Sequence, residues 1–265
     1  MQRRPLLLSA LLGVPALLRA QTPGPLRLGA DSALVDSGLA RALQGAFARD
    51  TGLGVKVVPS PALALLDALA AGEVDAGLCN APQAEERLDR QGLVYDRRPV
   101  ATGAFLLVGP LRRGGKPEPK KVERGHGLME ALARWREPVA DPVGATFLSA
   151  NDGSGSHVFE QAAWSSARIG PQAPWYVRLD PGQSLIAQAR ARGAYAIVER
   201  GAWLAHGGAP LGVIVEGDAD ALEQVHTMRS FRSPHPAGKL FVAWIAGARG
   251  RSVVGSQRGY RAPAA

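Results

Sequence analysis

Ala150-Asn151-Asp152-Gly153-Ser154-Gly155-Ser156-His157-Val158-Phe159-Glu160-Gln161-Ala162-Ala163-Trp164 is the stretch on which the reading of the fold turns. A strand-like run, Ala145–Ser149, stops at its polar, glycine-bearing start. A helix-like run follows, with Val158, Phe159, Ala162 and Ala163 on one face. A strand, a Gly/Ser turn and a helix N-terminus form an arrangement suited to anions. The first N–H groups of a helix lack partners within it, and the helix dipole adds positive partial charge there. Ser154 and Ser156 can cap the helix or offer hydroxyls to a ligand. A plain cap is the ordinary assignment, because cap signals occur at most helices. A second turn of similar design near the chain start gives the ligand assignment weight.

Working outward, residues 26–92 alternate between strand and helix patterns. Leu26–Ala30 reads as a strand and Asp31–Val35 as a connector. Asp36-Ser37-Gly38 opens a helix with Leu39, Leu43 and Phe47 at spacing four, closed by Thr51-Gly52. Val55–Val58 is a strand stopped by Pro59. Leu63, Leu66 and Leu69 mark a helix ended by Gly72, Val74–Cys79 is a strand, and Gln83–Gln91 is a charged helix. This order predicts a parallel sheet with helices on its faces. Ala104–Gly109 reads as a strand, Arg112–Lys121 as a solvated Gly/Pro-rich loop, and Gly127–Trp135 as a helix.

Past the central stretch, whose helix is ended by Gly170-Pro171, Trp175–Leu179 reads as a strand. Pro181-Gly182-Gln183-Ser184 opens a helix with Leu185, Ile186 and Ala189, and Ala194–Val198 is a strand. Leu211–Val215 and Thr227–Phe231 are strands, and Pro236–Gly247 is a helix. Residues from about 211 onward are too few for a separate domain and return to the first unit. The expected fold is therefore α/β and two-lobed: residues 21–109 and 211–265 form one lobe, 110–210 the other, and two segments cross between them. Such lobes leave a cleft facing the carboxyl ends of strands, where ligands bind.

Residues 1–20 read as a signal peptide: Arg3 and Arg4, an apolar run from Leu6 to Leu18, and cleavage after Ala20. The run is too short to span a membrane, and the paired arginines are compatible with either general or twin-arginine export. The expected location is the periplasm. Losing Arg3, Arg4 and Arg19 lowers the formal net charge from +8 to +5. That mild excess, without a basic-aromatic patch, argues against nucleic acid. The single cysteine, Cys79, ends an apolar strand and reads as a packed thiol. His126, His157, His206, His226 and His235 show no metal spacing, and no metal or cofactor is expected. Gly153-Ser154-Gly155-Ser156-His157 is not the Gly-x-Ser-x-Gly of a nucleophile elbow, and adjacent helix residues do not face each other. A serine hydrolase is accordingly the weakest of the readings, and the expectation is a binding protein rather than an enzyme.

Several motifs, taken in order, resemble the periplasmic tungstate-binding proteins of ABC importers, within the type II solute-binding proteins. They are Asp36-Ser37-Gly38-Leu39, Asp96-Arg97-Arg98-Pro99-Val100, Phe105–Pro110, Ser154-Gly155-Ser156-His157 and Gly182-Gln183. Ala194-Tyr195 leading to Arg200-Gly201 and Leu204, and Val215-Glu216-Gly217-Asp218, complete the set. The resemblance spans most of the chain after residue 20. It implies a monomeric two-lobed protein that closes on a tetrahedral oxyanion such as tungstate or molybdate and passes it to an inner-membrane permease. Two helix N-termini, near Asp36 and Ser154, would converge on the ligand through charge-assisted hydrogen bonds. The implied ligand-binding set is Asp31, Ser32, Ala33, Asn151, Ser154, Gly155, Ser156, Gln183 and Ser184. A sensor subunit reporting to a membrane receptor is the alternative, and sequence does not separate the two.

The departures fall in the ligand shell. A threonine run ending in serine is expected before Asp36; this chain has Ala30-Asp31-Ser32-Ala33-Leu34. An expected arginine is Ala150, and an expected His-Asp is Asn80-Ala81. Loss of the arginine removes a positive charge, and a carboxylate at Asp31 would repel a dianion about 4–6 Å away. Tungstate binding is therefore expected to be weak or absent, with a neutral, monoanionic or cationic ligand in its place. The alternative for Asp31 is that it points out of the cleft and caps a neighbouring helix. Arg98 and Arg200 read as structural, and Tyr95, Trp175, Tyr176, Tyr195 and Trp203 as core aromatics.

Overall fold

The structure is a computed structural model describing residues 24–111, 127–136 and 146–264. The signal segment, the Arg112–Lys121 loop, His126 and Ala145 lie outside the described residues. In the first half the elements are β1 (Leu26–Asp31), α1 (Ser32–Asp36), α2 (Leu39–Thr51), β2 (Val55–Ser60), α3 (Ala62–Ala71), β3 (Ala76–Cys79), α4 (Pro82–Arg90) and β4 (Val94–Pro110). Then come α5 (Leu128–Ala133), β5 (Phe147–Ser149), α6 (Gly155–Ser166), β6 (Tyr176–Arg178), α7 (Leu185–Arg192) and β7 (Ala196–Glu199). The chain continues through α8 (Arg200–His206), β8 (Leu211–Val215), β9 (Leu222–Ser230), α9 (Pro236–Ala246) and α10 (Ala248–Gly255).

The elements follow from local pattern where the pattern is strong. In α2, Leu39, Leu43 and Phe47 are all fully buried, and Gly52 ends the helix in the left-handed conformation that glycine tolerates. Pro59, expected to stop β2, lies within it. β2 is the edge of the sheet, where a missing N–H donor costs no ladder bond. The expected connector Asp31–Val35 is instead mostly the short helix α1, because the Asp31 carboxylate accepts from Ala33 N and caps it.

The main sheet has the order β2-β1-β3-β9-β4-β7, with β8 also paired to β4. It is parallel only across β2-β1-β3; β9 runs antiparallel to β3 and β4, and β7 and β8 antiparallel to β4. The expected parallel sheet is thus mixed. β4 is 17 residues long and links two cores. Val100 and Ala101 pack with Leu28, Leu43, Phe47, Phe241 and Ile245, whereas Phe105 and Leu107 pack with Phe147, Trp164, Tyr195 and Ile214. Leu106, Val108 and Leu211 share a core with Leu148, Leu179, Ala196 and Trp203. Trp175, Tyr176 and Tyr195 join Trp135, Phe147 and Trp164 in an aromatic cluster. Among the described residues, no helix is long and apolar enough to cross a membrane.

Candidate functional site

Four chain segments, together with Pro61 before α3, meet at one cavity of about 650 Å³. The end of β1 and start of α1 supply Ser32 and Ala33. The turn between β5 and α6 supplies Ala150, Asn151, Asp152, Ser154 and Ser156. The turn before α7 supplies Gln183 and Ser184, and the β7–α8 junction supplies Glu199 and Ala202. Seven of the nine sequence-derived residues line this space: Ser32, Ala33, Asn151, Ser154, Ser156, Gln183 and Ser184. Asp31 and Gly155 are buried behind the wall.

The turn at 151–154 has the geometry its composition calls for. Asn151 and Gly153 adopt φ of 52° and 78°, the left-handed region that Asn and Gly enter most readily. Asp152 Oδ1 then accepts from Ser154 N at 2.9 Å, and His157 Nδ1 accepts from Gly153 N at 2.9 Å. Ser154 Oγ accepts from His157 N as the cap of α6. Ser184 likewise caps α7 through Ala187 N. His157 therefore locks the turn, and its burial lowers its pKa.

Asp31 does more than cap α1. Its second carboxylate oxygen accepts from Gly155 N, in the first turn of α6, at 3.0 Å. It faces across the division between the cores, not away from it. Burial pushes its pKa up to about 6 against the pull of the hydrogen bonds from Gly155 and Ala33. Helix starts do lie near Asp36 and Ser154, but the α2 start after Asp36 does not line the cavity, whereas the starts of α1 and α6 do. Asp36 ends α1, and the helix after it begins at Leu39 with Gly38 as its cap residue. What reaches α6 from the first unit is the Asp31 side chain.

Further contacts join the two cores around the cavity. Leu63 N donates to Gly153 O at 3.0 Å, and a His206 ring nitrogen lies 3.0 Å from Asp36 O. Asn80, at the end of β3, packs against Gly155, and its Nδ2 donates to Glu223 Oε1 at 2.6 Å. A Cβ at Gly155 would overlap that pinned amide. Gly155→Ala is therefore expected to destabilise the protein by about 1–3 kcal/mol, the clash outweighing alanine's gain in helix propensity of about 1 kcal/mol. Urea unfolding checks this: a variant as stable as the parent would show that the Asn80 contact yields freely.

Sequence reasoning missed Glu199 and the buried acid behind it. Glu199 caps α8 through Gly201 N and Ala202 N, both at 2.6 Å. Burial pushes it up to about 7, and burial with the neighbouring Glu199 carboxyl pushes Glu223 well above its ordinary value. The cap signal was legible, since a carboxylate precedes Arg200-Gly201-Ala202; its meeting with Glu223 was not. Arg200 pairs with Glu216 at 2.9 Å, in line with a structural role. A second groove of similar volume lies on the other side of α6, with Arg97 and His226, which share the buried Glu85 carboxylate, beside Phe105 and Phe159. It holds none of the nine candidate residues, so the first cavity is the stronger candidate.

Relatives agree with this architecture. The chain is 29% identical over 244 residues to the tungstate-binding protein TupA of Peptoclostridium acidaminophilum, covering 89% of this chain and 82% of that protein. It is 30% identical over 181 residues to a putative ABC transporter anion-binding protein of Haloferax volcanii, covering 68% of this chain and 50% of that protein. A crystal structure described as the tungstate ABC transporter from Geobacter sulfurreducens superposes with a TM-score of 0.72 at 26% identity, over 86% of this chain and 97% of that one. The PBP superfamily domain matches residues 19–245, and the chain belongs to that superfamily of binding proteins.

Proposed function

We propose that this protein is an extracytoplasmic solute-binding protein that holds a small ligand in the 650 Å³ cavity and hands it to an ABC permease. The observation that carries the reading is the convergence of Ser32, Ala33, Asn151, Ser154, Ser156, Gln183 and Ser184, from three separate segments, on one space between two cores. Relatives named for tungstate and anion binding by ABC transporters support the solute-binding role and the permease partner. In this reading the units divide near Ala104 in β4 and Leu222 at the start of β9, where side-chain packing changes core. In this reading residues 1–20 are an export signal, the protein works in the periplasm, and it acts as a monomer.

The test is a thermal-shift screen of the purified protein against oxyanions, small organic acids, amines and neutral solutes. A ligand at about 100 times its Kd stabilises by about 2.7 kcal/mol, or roughly 5–10 °C in a chain of this size. Ala33→Phe, which puts a ring into the cavity, is expected to abolish the shift. Loss of no more than a trace of the shift in that variant would place the ligand elsewhere.

A further inference from the structure

Eight backbone N–H groups around this cavity already serve the chain's own acceptors. In the turn and first turn of α6, Gly153 N goes to His157, Ser154 N to Asp152, Gly155 N to Asp31 and His157 N to Ser154. Ala33 N goes to Asp31, Gly201 N and Ala202 N to Glu199, and Ala187 N to Ser184. The sequence carries 31 lysines and arginines, yet among the described residues none lines the cavity. The ionisable groups that do are the carboxylates Asp36, Asp152 and Glu199, with His206. Asp31 lies fully buried behind Ser32 and Ser154, where low dielectric strengthens its reach.

We propose that Asp31 is the specificity-determining residue of this cavity: its carboxylate is a tethered anion at the start of α6, so the site turns away tetrahedral dianions and takes a small solute bearing an ammonium group. The proposal rests on the reading of the cavity as the solute site. The physical basis is twofold. A dianion entering beside Asp31 meets a like charge, and to reach Ala33 N and Gly155 N it must displace that carboxylate from hydrogen bonds of 2.9 and 3.0 Å. An ammonium group meets the reverse: carboxylate and hydroxyl acceptors, and no lysine or arginine among the described lining residues.

The experiment compares the full mature protein with Asp31→Asn and Asp31→Ser at pH 7.5. Tungstate, molybdate, sulfate, putrescine, agmatine and spermidine are the probes, read by thermal shift and calorimetry. Asp31→Asn keeps the shape of the side chain, so it reports even if the smaller serine leaves the chain unfolded. The parent is expected to show no oxyanion shift and a rise in Tm with at least one amine. In the variants tungstate affinity is expected to increase about 100-fold or more, and amine affinity to fall. Tight tungstate binding by the parent, or no gain in the variants, overturns the role of Asp31 while leaving solute binding intact. Rejection of every amine by a parent that binds some other solute overturns the ammonium assignment alone. Silence toward the whole screen, in parent and variants, removes the solute-site reading and this inference together.

Discussion

Stability is expected to fall by on the order of 5 kcal/mol between pH 5 and pH 8, with Tm dropping by about 10 °C or more. Three buried carboxyls drive this. Asp31 is raised to about 6, and Glu160 and Glu199 to about 7, in each case chiefly by burial. An acid raised in the folded state binds its proton more tightly there than in the unfolded chain. Its contribution is therefore complete below its unfolded pKa and disappears as pH rises through the folded value. Glu223, raised further by burial and by Glu199, acts in the same direction. Two sets of groups oppose the trend. Asp75 and Asp96, held low by Arg27 and Arg229, lose stability only toward strongly acid pH. His157, lowered by burial, loses stability as it protonates on acidification and so trims the acid side. A maximum at about pH 4, near the unfolded carboxyl values, is the result.

Glu160→Gln separates one component of that slope. The Glu160 carboxyl accepts from Tyr176 Oη at 2.6 Å and from Trp164 Nε1 at 3.2 Å through the same oxygen. Glutamine can keep one such oxygen while losing the titration. The variant is expected to match the parent near pH 5 and to exceed it by on the order of 2–3 kcal/mol at pH 8. Urea midpoints across the pH range decide it; a stability profile flat from pH 5 to 8 in the parent would show that these acids are ionised in the folded protein.

Trp164→Ala is the substitution with the largest expected cost, about 3–5 kcal/mol. The side chain is 1% exposed. Its ring meets Phe147 at 5.0 Å, Trp175 at 5.6 Å, Trp135 at 6.0 Å and Tyr176 at 6.4 Å, three of them edge-on and the Trp175 contact tilted. Removal leaves a void among rigid rings that cannot collapse together, and takes a donor from Glu160. Leu240→Ala is the control on the opposite unit. Leu240 on α9 is 46% exposed, so its loss is expected to cost less than about 1 kcal/mol. Equal losses in the two variants would show that the aromatic cluster is loosely packed.

Much of the architecture was legible in advance because it depends on neighbours in the chain. The period of Leu39, Leu43 and Phe47, the glycine stops at 52, 72 and 193, and the serine caps at 154 and 184 are local signals, and each element formed there. The same locality explains why seven candidate residues could be named: they sit in the turns or first helical residues that follow strands, where short polar residues open helices. The full length of β4 was not legible. Val94–Gly103 is polar and contains Pro99, and it becomes strand only because β9 lies alongside it with irregular register at Arg98 and Pro99. The short α8 and α10 lacked a long apolar period and escaped for a related reason.

Sequence by itself determined that this chain is an alternating α/β protein with helix-opening turns at 151–154 and 183–184, since those features need only a few consecutive residues. Tertiary structure alone decided what the buried polar groups do. Asp31 finds Gly155 124 positions away, and Asn80 finds Glu223 143 positions away. No spacing rule reaches that far: a buried polar atom takes whichever partner folding brings to it, and the cost of leaving it without one makes that choice binding.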